Sequence, residues 1–556
     1  MSEPEKTFGG HLVAKYLKET EGVTTLFTIA GGHIERILDG CGLYDIRAVD
    51  VRHEQATAMM AHAWSIYTGR TGVCLVTAGP GFTNALTGIA NAYMDGAPMV
   101  VICGRSPLRD DLKGALQEMN QIDMVRPVAK WCATCFDANR LTEYLAAAFR
   151  HASEGRPGPA FLELPPEVLN VMVQCPPRFE PRVRHSSSIR PAERELRAAA
   201  ELINRAEHPI FVGGSGIGFS PCGEPLGEFI TKSSIPFALV NSGRGVLPDD
   251  HPLSIMEGGV VGMIAGLTQA DCVIAVGVRF NWLFQFGGIM PNAGIVRIDI
   301  DPHEIDRNRR AEVGLVGDAA EVLKSLVPFV EERDRSGWIA KLRGLYREHL
   351  QSEILRRKTP SHPIHPARLI ALVREAAGDN CLYVVDGGDT SYFGMAGLLA
   401  RERAAVIVPS GGLFGCLGTG IPFGIAAKLA RPERTVVVIN GDGSFGFNAM
   451  EFDTAVRHGI PFVCVINNDR AWGMIKHGQE MTLGAGRARC ADLGERRYEK
   501  MVEGLGGYGE CVTSEEDIAP AIKRAIASGK PACVNVFTDP SVTSPATFLF
   551  EQSLQF

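Results

Sequence analysis

Short runs of apolar, mostly β-branched residues recur along the whole chain, and this repeat limits its fold more than any other feature. Each run is closely followed by glycine or aspartate and then by an amphipathic segment. That order is typical of buried strands in parallel sheets that alternate with helices. We therefore predict an α/β protein built from doubly wound parallel sheets. The clearest runs are 73–77, 99–103, 272–276, 435–440 and 462–467.

The chain has 556 residues, more than one hydrophobic core usually supports, so several domains are expected. Two stretches without strand-and-helix repeats, 175–191 and about 331–363, are interpreted as linkers. The tail at 541–556 has no clean periodicity and is interpreted as a lid or a docked terminus. The three predicted domains are 1–175, 192–330 and 364–540.

Composition excludes some functions. The net charge of -7 provides no basic surface for nucleic acid, and no apolar run approaches the ~20 residues of a membrane helix. The polar N-terminus and the fourteen scattered cysteines predict a cytoplasmic protein. Cys132 and Cys135 form a lone CxxC in a strand-like pattern, and we interpret them as buried structural thiols.

Two aspartates follow neighbouring strands of the third predicted domain. The run 435–440 leads into Gly441-Asp442-Gly443-Ser444, a helical segment reaches about residue 458, and the next strand is followed by Asn468 and Asp469. A strand–helix–strand crossover places both strand ends side by side, so Asp442 and Asp469 can converge on one hard cation. Gly443 and Ser444 begin a helix whose positive end and backbone amides suit a diphosphate.

The segment GDGSFGFNAMEFDTAVRHGIPFVCVINND resembles the signature of thiamine-diphosphate-dependent enzymes. The resemblance implies that Mg²⁺ is held by Asp442, by Asp469 and by the backbone carbonyl of Ala471. The family usually has asparagine where this chain has Asp469. If the register shifts by one residue, Asn468 is the ligand instead.

Glu54 is the candidate catalytic carboxylate of the first domain. It follows a predicted strand at 46–51 and begins a predicted helix, where the helix dipole favours a negative charge. Standing alone, Glu54 could be a capping residue. The segment from Arg52 to Gly104, beginning RHEQATAMM, resembles acetolactate synthase and benzaldehyde lyase. That likeness implies that Glu54 bonds the aminopyrimidine ring of the cofactor and activates it.

The same resemblance assigns further residues. Gln117 matches a glutamine that faces the reacting carbon. Gly415 and Leu417 match the loop that bends the cofactor, the first through its carbonyl and the second as an apolar wedge. The loop expected to contact the diphosphate comprises Gly388, Asp389 and Thr390.

Residues after the metal ligands are expected near the substrate. We predict that Trp472, Met474 and Ile475 line the pocket, and that His477 is solvated or lies at an interface. His33 has two interpretations: it contacts the substrate, or it makes local hydrogen bonds.

The middle domain carries a glycine-rich turn at 213–218 after a strand, and an acidic strand end at Asp299 and Asp301. Such a pattern can accept a dinucleotide. GRGVLPDDHPL and RIDIDPHEIDRNRR resemble acetolactate synthase, which implies FAD. GVRFNWLFQFG resembles the 2-hydroxyacyl-CoA lyases and oxalyl-CoA decarboxylases, which implies an ADP or CoA nucleotide. The third interpretation is that the middle domain is a scaffold that binds no nucleotide.

The resemblance predicts pyrimidine-binding, middle and diphosphate-binding domains, in that order. It implies a carbon–carbon lyase or carboligase acting on 2-keto acids, 2-hydroxy ketones or 2-hydroxyacyl thioesters. The alternatives are an FAD-dependent 2-keto-acid oxidase and a non-catalytic nucleotide-binding regulator. The family also implies a homodimer or homotetramer, with Glu54 and the GDGS segment contributed by different subunits to each site. The expected partner is a small-molecule substrate.

Overall fold

The computed structural model describes residues 5–176, 178–182, 189–378 and 380–554. Part of the first predicted linker, at 177 and 183–188, lies outside the described residues, as do 1–4 and the last two residues of the tail. The chain forms two compact units. The first contains the described residues within 1–186 together with 421–431 and 448–460, and the second contains the remainder.

The first unit is built on a parallel sheet with the strand order β3-β2-β4-β5-β7-β6. Its strands are β1 (Glu5–Phe8), β2 (Thr25–Thr28), β3 (Arg47–Asp50), β4 (Gly72–Val76), β5 (Met99–Gly104), β6 (Trp131–Thr134), β7 (Pro159–Leu164) and β8 (Met172–Cys175). Its helices up to residue 182 are α1 (Gly9–Glu19), α2 (Glu35–Leu43), α3 (Glu54–Thr68), α4 (Pro80–Asp95), α5 (Gln121–Val125), α6 (Leu141–Ser153) and α7 (Pro166–Leu169). β1 and β8 pair separately as an antiparallel ribbon. Every residue of β4, β5 and β7 is buried, which explains their continuous apolar runs.

The second unit begins with a parallel sheet of order β10-β9-β11-β12-β13. Its strands are β9 (Pro209–Gly213), β10 (Phe237–Leu239), β11 (Cys272–Val276), β12 (Gly294–Asp299) and β13 (Val313–Val316). Its helices are α8 (Glu193–Arg205), α9 (Ser215–Phe219), α10 (Gly223–Ser233), α11 (Gly259–Gln269), α12 (Ala319–Leu326) and α13 (Ser336–Lys358). The helical second linker is α13, and it adds Trp338, Leu342 and Tyr346 to the core beside this sheet.

A further parallel sheet, of order β15-β14-β16-β17-β19-β18, completes the second unit. The strands of this part of the chain are β14 (Cys381–Asp386), β15 (Val406–Ile407), β16 (Thr435–Gly441), β17 (Val463–Asn468), β18 (Tyr508–Val512) and β19 (Ala532–Phe537). The helices are α14 (Pro366–Ala377), α15 (Asp389–Gly397), α16 (Gly420–Ala430), α17 (Asp442–Asn448), α18 (Glu451–Arg457), α19 (Gly473–Leu483), α20 (Tyr498–Gly504), α21 (Glu515–Ala527) and α22 (Pro545–Leu554). α18 and nearly all of α16 belong to the first unit. The predicted α/β class with parallel sheets is confirmed.

The fourteen cysteines all lie in described residues and are free thiols. Cys135 is buried and Cys132 is half-buried in β6, and burial raises the pKa of the Cys135 thiol to about 11. Across the ranges that the structure covers, no helix is both long and apolar enough to cross a lipid bilayer.

Candidate active site

Glu54 is the first residue of α3, directly after the loop that follows β3. Its Oε2 accepts a hydrogen bond from Nδ2 of Asn84 at 2.9 Å, and Asn84 lies in α4. His53 caps α3, because its ring nitrogen accepts from the Gln55 amide at 3.2 Å. The carboxylate of Glu54 therefore stands at the amino end of one helix and is oriented by a second. Asn84 was not predicted, and no sequence motif marks it.

His33 and Gln117 lie in the same unit, near strand ends of the same sheet. Nδ1 of His33 is 3.1 Å from the Thr77 hydroxyl, and burial lowers the pKa of His33. Gln117 has a φ of 61°, in the left-handed region. It lies against Gly79, where an added Cβ would be 2.9 Å from the Cβ of Gln117 and 3.0 Å from its carbonyl oxygen. A strained backbone at a loop residue often accompanies function.

Two unpredicted side chains organise the loop that carries Gln117. Gln121 is buried; it accepts from the Gly79 amide at 2.8 Å and donates to Glu163 at 2.7 Å. Glu118 accepts from the amides of Leu112, Gly114 and Ala115, and these bonds lower the pKa of its carboxyl. Both residues were missed because the loop has no periodicity and their partners become neighbours only after folding.

The two predicted metal ligands lie at adjacent strand ends of the second unit. β16 and β17 pair in parallel as far as Gly441 and Asn467; Asp442 begins α17, and Asp469 follows β17. Asp442 is buried, and its pKa is raised by burial and by the charge of Asp469. Burial also raises the pKa of Asp469. Within the described chain, Oδ2 of Asp442 receives no hydrogen bond. Such a pair of carboxylates could hold a hard cation, which would neutralise the mutual repulsion.

The structure distinguishes Asp469 from its neighbour. Asn468 donates to Oδ1 of Asn535 at 2.9 Å and accepts from the Arg470 amide at 3.1 Å. Its side chain is thus occupied within the strand layer. Asp469 accepts from the Ala471 amide at 3.1 Å, with Arg470 between them in the left-handed region. The geometry therefore favours Asp469 over Asn468 as the residue that faces Asp442.

Glycines make room for the larger side chains around these carboxylates. A Cβ at Gly443 would be 2.5 Å from the ring of Trp472, and a Cβ at Gly388 would be 2.8 Å from the Cβ of Met474. The hydroxyl of Ser444 lies 3.1 Å from the Asp386 carbonyl and 3.0 Å from the Gly441 carbonyl. These contacts hold the start of α17 against the end of β14.

A cavity of about 460 Å³ brings the predicted groups of the second unit together. Asn468 does not line it, in agreement with its occupied side chain. The predicted residues that do line it are Gly388, Asp389, Thr390, Gly415, Leu417, Asp442, Gly443, Ser444, Asp469, Ala471, Trp472, Met474 and Ile475. In the part of the chain that the structure describes, no cluster of three or more His, Cys, Asp or Glu side chains is suited to a metal. The predicted set needs only two carboxylates and a carbonyl.

The prediction that His477 is solvated is wrong. Its side chain is buried, with Nδ1 at 3.2 Å from Oδ2 of Asp389 and Nε2 at 2.9 Å from the Pro540 carbonyl. Both ring nitrogens face acceptors, so the protonated form is favoured and the pKa of His477 is raised. The partners are 88 and 63 residues away in the sequence, which no local pattern could reveal.

Asp389 joins the predicted diphosphate loop to the C-terminal helix. Its Oδ1 accepts from the hydroxyls of Ser544 at 2.5 Å and Thr547 at 2.7 Å, while Oδ2 faces His477. Asp389 is therefore engaged by the protein itself. α22 also contributes Leu549 and Phe550 to the wall of the cavity. The C-terminal segment is a docked helix beside the candidate site.

Removing both hydroxyls that bond Asp389 should loosen α22. Hydrogen bonds to a charged group contribute about 1.5–3 kcal/mol each. The Ser544→Ala/Thr547→Val double variant should therefore open locally at least about tenfold more often. Hydrogen exchange of residues 545–554 measures this opening. Ser541→Ala is the matched control, because that hydroxyl bonds only Asp539 among the contacts described here. Equal exchange in the double variant and the control would contradict this arrangement.

The glycine-rich turn of the middle sheet is packed against the chain itself. A Cβ at Gly216 would be 2.6 Å from Cα of Gly277, and one at Gly214 would be 2.8 Å from Cα of Val278. Asp299 accepts from the Asp301 amide at 2.9 Å, and burial raises its pKa to about 6. The glycines thus allow two backbone segments to approach each other closely. This role does not depend on any ligand at the turn.

Comparison with known families gives the class of protein to which this fold and site belong. Three family models match the chain: "Thiamine pyrophosphate enzyme, N-terminal TPP binding domain" at 8–124, "central domain" at 196–326, and "C-terminal TPP binding domain" at 386–536. The chain belongs to the thiamine pyrophosphate enzyme family and is a thiamine-diphosphate-dependent lyase or transferase. The predicted resemblance and the predicted enzyme class are confirmed.

Individual relatives carry different names. An acetolactate synthase large subunit of Mycobacterium tuberculosis is 35% identical over 542 residues, covering 96% of each chain. A 2-hydroxyacyl-CoA lyase 2 of Homo sapiens is 30% identical over 574 residues, covering 95% of this chain and 89% of its own. An oxalyl-CoA decarboxylase of Escherichia coli is 30% identical over 550 residues, covering 97% and 96%.

Proposed function

We propose that this protein is a carbon–carbon lyase or carboligase that holds thiamine diphosphate through Mg²⁺. The observation that carries the proposal is the buried pair Asp442 and Asp469, with an oxygen that has no hydrogen bond in the described structure, in the wall of the cavity. Both carboxylates and the Ala471 carbonyl would hold the metal, which prefers oxygen ligands. Backbone groups of Gly388 and Gly443, which line the cavity, would approach the diphosphate.

When bound, thiamine diphosphate supplies a carbon nucleophile that attacks a substrate carbonyl. The residues of the chain would orient it and move protons. Leu417, as an apolar wedge, and Gly415, through its carbonyl, line the cavity and would hold the cofactor there. Glu54 would keep a proton on the ring nitrogen of the aminopyrimidine, and Gln117 and His33 would bond the substrate oxygen. We propose that a homodimer or homotetramer combines Glu54 of one subunit with Asp442 of another.

Apolar side chains in the cavity wall suggest the kind of substrate. They are Met256, Met263, Trp282 and Leu283 of the middle sheet region and Leu549 and Phe550 of α22. An apolar surface of this kind favours a hydrocarbon chain, since burying it removes apolar area from water.

The cation on this wall is already engaged. Arg244 is buried, lies 2.7 Å from Asp249 and donates to the Leu398 carbonyl at 2.7 Å. A substrate carboxylate placed there would compete with Asp249. We therefore propose a 2-hydroxyacyl thioester or 2-hydroxy ketone with an apolar chain as substrate, in preference to a short 2-keto acid such as pyruvate.

A chain-length series tests both parts of this proposal. The protein is reconstituted with thiamine diphosphate and Mg²⁺ and assayed with pyruvate, benzoin and 2-hydroxyacyl-CoA of four, six and eight carbons. We expect kcat/KM to rise about fourfold per methylene that the wall buries. Turnover that does not depend on the cofactor would overturn the proposed role of thiamine diphosphate and Mg²⁺. Pyruvate as the best substrate, with a flat series, would overturn the substrate class alone.

A matched pair of variants locates the effect. Leu283→Asn should flatten the chain-length dependence, because it places an amide in the apolar wall. Leu247→Asn is the control, since that half-buried leucine packs on the opposite core of the same sheet and does not line the cavity. The series should keep its slope in the control even if the protein is less stable.

A further inference from the structure

A buried carboxylate outside the cavity contacts the backbone directly before Glu54. Glu451 is the first residue of α18 and is 1% exposed. Its Oε1 accepts from the amides of Arg52 and His53, both at 3.1 Å, and its Oε2 accepts from the Arg52 amide at 3.2 Å. The Thr454 hydroxyl donates to Oε2 at 2.6 Å. All of these groups belong to the first unit.

The segment 448–460 also contacts Gln55, the residue after Glu54. Nδ2 of Asn448 donates to Oε1 of Gln55 at 3.2 Å. Glu54 is thus flanked by hydrogen bonds from residues 448–460, to the backbone on its N-terminal side and to a side chain on its C-terminal side. Three hydrogen bonds from Arg457 and His458 to Asp50 fix the preceding strand end, at 2.6, 2.9 and 2.8 Å. The path from β3 to α3 is held along its length.

The negative charge of Glu451 would lower the stability of the fold if this side chain served only for packing. The basic side chains of the two segments that meet at Glu451 bond other carboxylates: Arg457 contacts Asp50 at 2.6 Å and Asp453 at 2.8 Å. Arg52 contacts Asp453 at 3.5 Å, and His458 contacts Asp50 at 2.8 Å. Among the described residues, the hydrogen bonds to the Glu451 carboxylate come from amides and a hydroxyl; burial disfavours its charged form and raises its pKa to about 7. A neutral side chain of the same shape would stabilise the fold better.

We propose that Glu451 is a positioning residue for Glu54: its carboxylate fixes the Arg52 and His53 amides, and thereby the direction in which the Glu54 side chain points. This inference rests on the proposed role of Glu54. Glutamine at position 451 would reproduce the contact with the two successive amides only in part. It has one oxygen acceptor where the carboxylate uses two.

Hydrogen exchange tests the contact without reference to catalysis. In Glu451→Ala, exchange of the Arg52 and His53 amides should rise at least tenfold, whereas in Asp453→Ala it should stay within twofold. Asp453 is the matched control because it lies on the same helix and bonds only side chains in the contacts described here. Unchanged exchange in Glu451→Ala would overturn the proposal.

Kinetics then separate positioning from structural support. Misplacing a catalytic group by about 1 Å can cost about 100-fold in rate. We expect Glu451→Ala to lower kcat 10- to 100-fold while KM and thiamine diphosphate affinity stay within twofold, and Glu451→Gln to recover part of that loss. Raised exchange with normal kcat would overturn the positioning role. Should Glu451→Ala fail to fold, Thr454→Val removes one bond to the same carboxylate and should raise exchange and lower kcat by smaller factors. A wild-type protein without cofactor-dependent turnover would refute the proposed function and leave the exchange result intact.

The pH dependence of stability gives a third readout. The pKa of Glu451 is raised in the folded protein from an ordinary value of 4.5 to about 7. Its contribution to stability is therefore present below pH 4.5 and is lost as pH rises through 7. Glu451→Gln is neutral throughout, so it should melt at a higher temperature than wild type at pH 8 and at nearly the same temperature at pH 5. A variant that is more stable yet slower than wild type is the expected signature, and equal melting at both pH values would count against the buried charge.

Discussion

Asp442→Ala is expected to abolish Mg²⁺-dependent binding of thiamine diphosphate, with a loss of at least about 100-fold in affinity. Asp442 is one of only two carboxylates in the proposed ligand set, and Asp469 with a single backbone carbonyl offers too few charges to replace it. Titration calorimetry with the cofactor, in Mg²⁺ and then in excess chelator, measures the effect. Chelator should reduce wild-type binding to the level of the variant.

Removing Asp442 should have the opposite effect on the empty protein. Burial and mutual repulsion disfavour the ionised pair, so the cofactor-free variant should melt at or above the wild-type temperature. Loss of binding would then not be a folding defect. Asp517→Ala is the control, since this exposed carboxylate lies in the first turn of α21. Metal-dependent binding of wild-type strength in Asp442→Ala would rule out the assignment.

Glu54→Gln is expected to keep the cofactor and to lose turnover by about 10²- to 10⁴-fold, the range that proton transfer by a positioned side chain contributes. Glutamine is nearly isosteric and can still accept from Asn84, so the amino end of α3 should persist. It cannot exchange a proton with the aminopyrimidine ring. Single-turnover kinetics with saturating cofactor should show a slowed chemical step and an unchanged affinity for thiamine diphosphate.

Glu35 offers a matched control for that experiment. It begins α2 as Glu54 begins α3, in the same unit, but it is exposed. Glu35→Gln should leave turnover within about twofold of wild type, because a surface carboxylate at a helix start contributes only a few tenths of a kcal/mol. Full activity in Glu54→Gln would exclude this residue from the mechanism.

Much of the third sheet and its site could be predicted because the signal is local. The strand before Gly441, the helix start at Asp442 and the strand before Asn468 are all encoded within residues 435–467. The choice between Asn468 and Asp469 could not be made from neighbouring positions. It depends on Asn535, which reaches Asn468 across the pairing of β17 with β19.

Distant partners account for what the sequence did not predict. His477 is expected to be solvated only if Asp389 and Pro540 are ignored, and both lie far away in the chain. Glu451 reads as an ordinary helix-start carboxylate until Arg52 and His53 are placed beside it by folding. Composition and spacing predict which face of a helix or strand is buried. The roles of His477 and Glu451 depend instead on which helices, strands and loops pack against each other.

The contact between Gly79 and Gln117 limits how this enzyme could be re-engineered. Gly79 has a φ of 62°, and a Cβ there would be 2.9 Å from the Cβ of Gln117 and 3.0 and 3.1 Å from its carbonyl oxygen and Cα. A substitution at 117 leaves the two main-chain contacts and the positive φ of Gly79 unchanged, so it does not by itself make room for a side chain at 79. In a saturation library that includes both positions, position 79 should stay glycine, and position 117 should accept mainly residues that tolerate its left-handed φ of 61°. Selection for new substrates must therefore change residues that line the site and leave the contact between Gly79 and Gln117 intact.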